Sequence, residues 1–325
     1  MEIFLPNYHN CIVNITVSLM NYFGANSHNG SNKIIDDCLK QDYKNIILLT
    51  LDGMGNNFVN KNMIETSFIR KHLRGTITSV YPCTTTAATT SINTGLNPSE
   101  HGWLGWNSWF KEYGAIVDLF LDRDSLSGAA ITPSPAKKYL SAPSAFCLIQ
   151  KQVGNKLNCR SVMPPFAVDG VNSFEAMAAR ILKYCQEPGK QLINAYWYEP
   201  DTLMHKLGPD NETVIEEIHR IDGVINNLYD QLKDTLMVIT ADHGQTNIIE
   251  ELFLDDIPEL MNCLILPPSL ENRAASFFVK SERREHFEQI FADIFHDDYL
   301  LLNRSEEIGR SLYQRPCKDA RQQQL

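Results

Sequence analysis

The chain of 325 residues has no CxxC pair, no short-spaced cysteine framework, no internal repeat, no low-complexity tract and no surplus of positive charge. Each absence excludes a class. Its eight cysteines (Cys11, Cys38, Cys83, Cys147, Cys159, Cys185, Cys263, Cys317) are scattered in the manner of reduced intracellular thiols, so no structural disulfide is expected. Subtracting 39 Asp and Glu from 29 Lys and Arg leaves a net charge of −10, which argues against an electrostatic hold on long nucleic-acid backbones. Small anions held by a metal stay open. The N-terminal stretch lacks a basic leader, and Asn10 and Asn14 interrupt its apolar run, so neither a signal peptide nor a membrane span is supported. The expected setting is cytoplasmic, with no membrane partner.

With 43% hydrophobic and 21% charged residues the chain can fill a packed core. At about 150 residues per domain its length gives roughly two domains or one large α/β unit. The run Asn45-Ile-Ile-Leu-Leu-Thr-Leu51 is continuously apolar and closed by Asp52-Gly53, the signature of a strand buried on both faces of a parallel sheet. Leu192 to Tyr198 and Leu236 to Ala241 repeat the form and end in Glu199-Pro200-Asp201 and Asp242-His243-Gly244. Three strand ends thus deliver carboxylates to one edge, where ligands bind in open α/β sheets. Helical spacing of Val214, Ile215, Ile218, Ile221, Val224, Ile225 and Leu228 predicts a covering helix after an Asn211 N-cap, and Ser173 to Cys185 predicts another. A further helix over Ile290 to Phe295 and a strand over 297–302 are expected. The fold class is therefore α/β, a mostly parallel central sheet with helices on both faces, read as a single catalytic domain over 1–325. The stretch 103–170, rich in tryptophan and proline, reads as an inserted cap.

Asp201 and His205, four residues apart, lie on one face of a helical turn within reach of a single cation. Asp242-His243 adds another oxygen and nitrogen, and Asp52 a third carboxylate. Singly, each is as readily a turn cap or a surface pair; together at strand ends they suggest a metal centre. Oxygen and imidazole donors suit zinc, manganese or iron. Between Ser79 and Gly95, threonines precede small residues suited to a helix start, whose unpaired N–H groups favour an ionised hydroxyl or a phosphate; an ordinary threonine N-cap is the structural alternative.

In order along the chain, L-T-L-D-G-M-G (Leu49 to Gly55), Y-P-C-T-T-T-A-A with S-I-N-T-G-L-N-P-S-E-H-G (Tyr81 to Gly102), E-P-D-T-L-M-H-K-L-G-P (Glu199 to Pro209) and T-A-D-H-G (Thr240 to Gly244) resemble the motifs of the alkaline phosphatase superfamily, in its type I phosphodiesterase and nucleotide pyrophosphatase branch. The resemblance covers about residues 40 to 250. It implies an alkaline phosphatase-like fold and hydrolysis of phosphate esters or anhydrides through a covalent phospho-threonine. It further implies two divalent metals, zinc foremost with manganese or iron as alternatives, and a small phosphorylated substrate such as a nucleotide. Carried over, Asp201 and His205 hold one metal, and Asp52, Asp242 and His243 the second, beside Thr85 as nucleophile and metal neighbour. Thr84 and Thr86 are the alternatives one residue either side.

The chain also departs from the family. Ala88 stands where an asparagine usually follows the nucleophile, and Asn107 is the nearest counterpart of the donor to a phosphate oxygen. The first metal's third ligand, a downstream histidine, has only His286 and His296 as counterparts, neither in a matching turn, and the tail from Leu312 has no closing apolar strand. A catalytically silent anion-binding relative with an incomplete first site is therefore one rival, and a phosphomutase another. A sulfatase fits poorly, because Cys83 is not followed by that branch's C-x-P-x-R pattern. Trp103, Trp106, Trp109 and Phe110 follow the Glu100-His101-Gly102 turn; they either pack the cap or, through Trp103 or Trp106, offer a stacking platform for a flat leaving group.

Overall fold

The computed structural model describes residues 4–296, 298–310, 312 and 313. In chain order the strands are β1 (Asn45–Leu51), the cap strands β2 (Asn107–Phe110), β3 (Ala115–Asp118) and β4 (Arg123–Asp124), then β5 (Leu157–Val162), β6 (Lys190–Trp197), β7 (Thr235–Thr240), and a hairpin of β8 (Ser269–Glu271) and β9 (Ala274–Ser276). The central sheet has the order β5-β6-β1-β7 and every pairing in it is parallel. Central β1 is buried at all its positions, as its uninterrupted apolar run requires.

Alternate β1 residues serve two cores, because successive side chains leave a strand on opposite faces. Ile47, Leu49 and Leu51 pack with Met177 and Ile181 of helix Phe174–Gln186 and with Val214, Ile218 and Ile221 of helix Glu212–Tyr229. Ile46 and Leu48 pack on the other face with Val13 and Val17 of helix Ile12–Tyr22, Ala87 and Ala88 of helix Thr85–Thr94, and Ile149 of helix Ala145–Val153. The small Ala87 and Ala88 let the Thr85–Thr94 helix lie close, and Thr16 donates to the Ile92 carbonyl at 2.6 Å. Truncating fully buried Leu48 to Ala would cost about 2–5 kcal/mol. The expected α/β sheet covered on both faces is thus the observed one.

The inserted segment is narrower than the expected 103–170. Strands β2, β3 and β4 form their own antiparallel sheet around Phe110, Val117, Leu119 and Ala136. Helix Ala145–Val153 and β5, however, belong to the main body. β5 is an edge strand with polar, part-exposed positions, so it lacks the continuous apolar run that marks β1. Further on, helix Arg284–Phe295 and residues such as Leu260, Cys263 and Phe287 build a satellite core. The strand expected over 297–302 does not form at 298–302, which are irregular, and Asp297 lies outside the described residues, as does the tail beyond Tyr313. The seven described cysteines are free; Cys317 lies outside the described residues. No helix among the described residues is long and apolar enough to cross a membrane.

Candidate metal centre

The parallel register aligns Leu51 with Trp197, and Thr50 with both Tyr196 and Thr240, so the residues after β1, β6 and β7 emerge at one edge. Asp52 follows β1 directly, its N–H donating to the Trp197 carbonyl at 2.9 Å. Gly53 then turns at φ +71°, and a Cβ there would lie 2.8 Å from Met204 Cε and 2.9 Å from Asp201 Cβ. A Cβ at Gly55 would come within 2.6 Å of the Gly244 Cα, so the turns after β1 and β7 pack this closely only because position 55 is glycine.

Asp242 is fully buried, and its Oδ1 accepts from the N–H groups of Gly53 (3.2 Å) and His243 (2.8 Å). His243 donates through Nδ1 to the Gly244 carbonyl at 2.8 Å, which directs Nε2 toward Asp52 Oδ1 (3.2 Å) and Asp242 Oδ2 (3.7 Å). The other Asp52 oxygen, Oδ2, accepts a short hydrogen bond from the Tyr196 hydroxyl. Ligand atoms of Asp52, Asp242 and His243 all lie within 4.8 Å of one another.

The charges in this cluster act strongly on one another. Burial pulls the His243 imidazole down, but the charges of Asp242 and Asp52 outweigh it and hold the group up at about 11. Burial and the Asp52 charge push both Asp242 and Asp201 up. Burial, with the Asp52 charge, also raises the Tyr196 phenol, keeping it a proton donor. Asp242 Oδ2 and Asp201 Oδ1 are buried without a hydrogen bond, and among the described residues the carboxylates of Asp52, Asp201 and Asp242 pair with histidines and with no Lys or Arg. Buried carboxylate oxygens without a hydrogen bond beside an imidazole are what a divalent cation would satisfy, so the donor set fits one.

Thr85 opens the Thr85–Thr94 helix, with Thr84 as N-cap residue. Its Oγ1 stands 3.0 Å from His243 Nε2 and 3.5 Å from each Asp52 carboxylate oxygen. The neighbouring threonines face elsewhere: Thr84 donates to Glu271 Oε1 at 2.8 Å, and Thr86 is fully buried with no partner for its hydroxyl. Of the three, Thr85 alone contacts the acidic cluster.

Asp201 opens helix Asp201–Leu207, its N–H donating to the Asp52 carbonyl at 3.2 Å, and its Oδ2 lies 3.4 Å from His205 Nε2. The expected i, i+4 pair therefore forms, with Asp201 buried and the His205 side chain 69% exposed. The pair lies outside the compact Asp52, Asp242 and His243 group. Neither downstream histidine joins it in a visible contact: exposed His286 borders a separate groove with Glu259, Lys280 and Arg283, and exposed His296 ends helix Arg284–Phe295. Asn107 begins β2, and its Oδ1 accepts from the Leu270 N–H at 2.9 Å, which leaves the amide NH2 as donor. Trp103 donates its indole N–H to the Leu140 carbonyl at 2.9 Å and packs in the cap core, whereas Trp106 is 43% exposed with its ring edge-on to Phe120.

Two residues at this edge escape sequence reasoning. Tyr196 looks like one more aromatic of a buried strand until the β1–β6 register sets it beside Thr50 and Asp52. Glu271 has no motif at all, yet its Oε1 accepts from both Thr84 and the Trp106 N–H (2.6 Å). Burial raises this carboxyl above the usual carboxylate range, opposed only in part by the Thr84 and Trp106 hydrogen bonds and the nearby His243 and His205.

A parallel sheet covered by helices on both faces is the architecture of the alkaline phosphatase-like fold. Residues 46–297 match the type I phosphodiesterase / nucleotide pyrophosphatase family, and the chain belongs to it. Human ectonucleotide pyrophosphatase/phosphodiesterase family member 5 is 36% identical over 92 residues, 26% of this chain and 19% of that protein. Venom phosphodiesterase 2 of Crotalus adamanteus is 24% identical over 242 residues, 67% of this chain and 28% of that protein. The matches thus span less than a third of these relatives' length. Murine ectonucleotide pyrophosphatase / phosphodiesterase 5, solved as an inactive variant in complex with AMP, superposes with a TM-score of 0.56 at 18% identity, over 78% of this chain and 70% of that one.

Proposed function

We propose that the chain hydrolyses phosphate diesters or anhydrides through a covalent phospho-threonine on Thr85, with a nucleotide as the substrate class. One observation carries this reading: Thr85 Oγ1, at the N-terminus of its helix, lies 3.0 Å from His243 Nε2 and 3.5 Å from both oxygens of Asp52. A divalent metal held by Asp52, Asp242 and His243, zinc by donor type, would lower the pKa of the Thr85 hydroxyl and offset charge on the phosphoryl oxygens. The protein's own groups do the rest. The Thr85–Thr94 helix N-terminus would present its N–H groups to the phosphoryl oxygens, and the Asn107 amide, its oxygen held by the Leu270 N–H, would donate to one of them. Tyr196 fixes the rotation of the Asp52 carboxylate. The Thr85 oxygen gives up its proton to solvent and bonds to phosphorus as the bond to the leaving oxygen breaks, that oxygen taking up a proton from solvent where it needs one; water then adds to phosphorus as the Thr85–phosphorus bond breaks, releasing one proton to solvent while the other restores the hydroxyl. Asp201 and His205 form the second half of the centre, on the leaving-group side. The AMP bound by the murine neighbour supports a nucleotide here, and exposed Trp106 offers a face for its base.

Binding without turnover is the second reading, favoured by the two-residue first site, where only Asp201 and His205 are paired. Turnover of bis-p-nitrophenyl phosphate by the purified chain supplemented with zinc or manganese separates the two. Metal-dependent release of nitrophenol that is lost in Thr85→Ala is expected; no release with either metal would favour binding alone.

A further inference from the structure

The hairpin of β8 and β9 brings one acidic side chain to the nucleophile's neighbour. Glu271 Oε1 accepts the hydroxyl of Thr84, the N-cap residue immediately before Thr85, at 2.8 Å and the Trp106 N–H at 2.6 Å. The hairpin is held there from two further sides. The Leu270 N–H donates to Asn107 Oδ1 at 2.9 Å, and the Gly105 Cα packs so closely on the Leu270 backbone that a Cβ would lie 2.7 Å from its carbonyl carbon. Leu270 itself adopts φ +82°, a conformation that side-chain-bearing residues avoid, so the surrounding contacts hold Glu271 in place against local backbone preference.

A carboxylate here meets the same helix end that would receive the phosphoryl group. Helix N-termini favour anions, and a resident anion offsets part of that field before any substrate arrives. No Lys or Arg pairs with Asp52, Asp201 or Asp242 among the described residues, so the cluster's own ion pairs hold no guanidinium or ammonium to meet a second negative charge on the substrate. A phosphate monoester carries close to two charges near neutral pH, whereas a diester carries one.

We propose that Glu271 is a specificity-determining residue, its fixed charge at the Thr84 N-cap disfavouring phosphate dianions and so selecting diesters over monoesters. The proposal rests on the phosphohydrolase reading above and deepens it. Glu271 acts on the substrate's charge, through space, and takes no part in bond making.

The test compares two substitutions in the zinc-supplemented chain. Glu271→Gln keeps an oxygen to accept from Thr84 and Trp106 but removes the charge; Glu271→Asp keeps the charge but shortens the reach. In E271Q the kcat/KM ratio of p-nitrophenyl phosphate to bis-p-nitrophenyl phosphate should rise about tenfold, equivalent to about 1.4 kcal/mol. In E271D that ratio should stay near the wild-type value even if both rates fall. Calorimetric titration with inorganic phosphate gives a readout free of turnover, with binding to E271Q tightened by a similar factor. An unchanged ratio and unchanged phosphate affinity in E271Q would make Glu271 a mere clamp and overturn the proposal. A shift of the ratio in E271D, where the charge persists, would overturn it as well, and does so whether or not E271Q folds. Wild-type protein that turns over neither ester would contradict the hydrolase reading alone, since the phosphate titration still decides the role of Glu271.

Discussion

Thr85 Oγ1 lies 3.0 Å from His243 Nε2, across the 158 residues that separate them in the chain. The distance follows from two independent pieces of local structure. The strand order places the turn after β7 beside the turn after β1, and the small face of the Thr85–Thr94 helix lets its first residue reach that edge. Replacing Thr85 with Ala should abolish turnover while leaving metal content close to wild type, because the carboxylates and the imidazole carry most of the metal affinity. Thr84→Ala and Thr86→Ala should retain far more activity, since their hydroxyls point to Glu271 and into the core. Steady-state kinetics with elemental analysis of each variant checks this, and a larger loss in either neighbour would move the nucleophile.

Tyr196→Phe removes the hydroxyl that donates to Asp52 Oδ2 and leaves a buried carboxylate free to rotate. Groups that orient a ligand from behind typically alter metal affinity by about 10–100-fold. Competition with a chromogenic chelator should reveal a loss of that size for zinc. Affinity equal to wild type would mean that backbone packing alone orients Asp52.

Asp242→Asn and His243→Ala should remove more bound metal than Asp201→Asn and His205→Ala, because Asp52, Asp242 and His243 form the compact group and the other pair has two members. Metal stoichiometry of the wild-type chain reports on the same point. One tightly held ion per chain fits a first site limited to Asp201 and His205. Two would require a further ligand for that pair.

Much of this centre is legible in the sequence because its pieces are local. Continuous apolar runs identify β1, β6 and β7, and the carboxylates directly after them need only a parallel register to meet. The four-residue spacing of Asp201 and His205 likewise encodes its own geometry. Other parts depend on information no short segment holds. β5 is an edge strand with polar positions, so nothing in its sequence separates it from the cap. Tyr196 gains its partner only through the pairing of β6 with β1, and Glu271 reaches Thr84 across 187 residues by way of a hairpin with no motif. Among the three adjacent threonines at the helix start the resemblance selects Thr85 with a one-residue slip left open, and packing separates their hydroxyls.

His101 links the helix to the cap and titrates in a way that can be measured. Its Nε2 contacts Ser91 Oγ at 2.9 Å and its Nδ1 accepts from the Trp103 N–H at 3.0 Å, with the ring almost wholly buried. Burial drives its pKa down to about 3 from an ordinary 6.5, opposed only in part by Glu100. The unfolded chain therefore binds this proton first as pH falls. Stability from a neutral His101 is fully present above about 6.5 and is lost toward 3, with a slope approaching about 1.4 kcal/mol per pH unit from this group. Denaturant titrations between pH 7 and 4 should show a shallower decline in His101→Gln than in wild type. Parallel declines would place the acid sensitivity elsewhere.

Trp106 is 43% exposed beside Phe120, with its backbone N–H fixed by Glu271. If its face stacks on a nucleobase, Trp106→Ala should raise KM for a nucleotide diester by about 5–150-fold, equivalent to about 1–3 kcal/mol, and change little for a small aliphatic diester. Trp103→Ala should instead lower thermal stability, since that ring packs in the cap core. Equal KM changes for both substrates would return Trp106 to a packing role.

The central claim is that Thr85 carries the phosphoryl group during turnover. Acid quenching of the zinc-supplemented chain during turnover of a nucleotide diester, followed by proteolysis and mass spectrometry, tests this most directly. The account predicts one phosphoryl or nucleotidyl group on the peptide that contains Thr85, fragmenting to that residue and absent from Thr85→Ala. A chain that turns over substrate at full rate with Thr85 unmodified, or with the group on another residue, would contradict it.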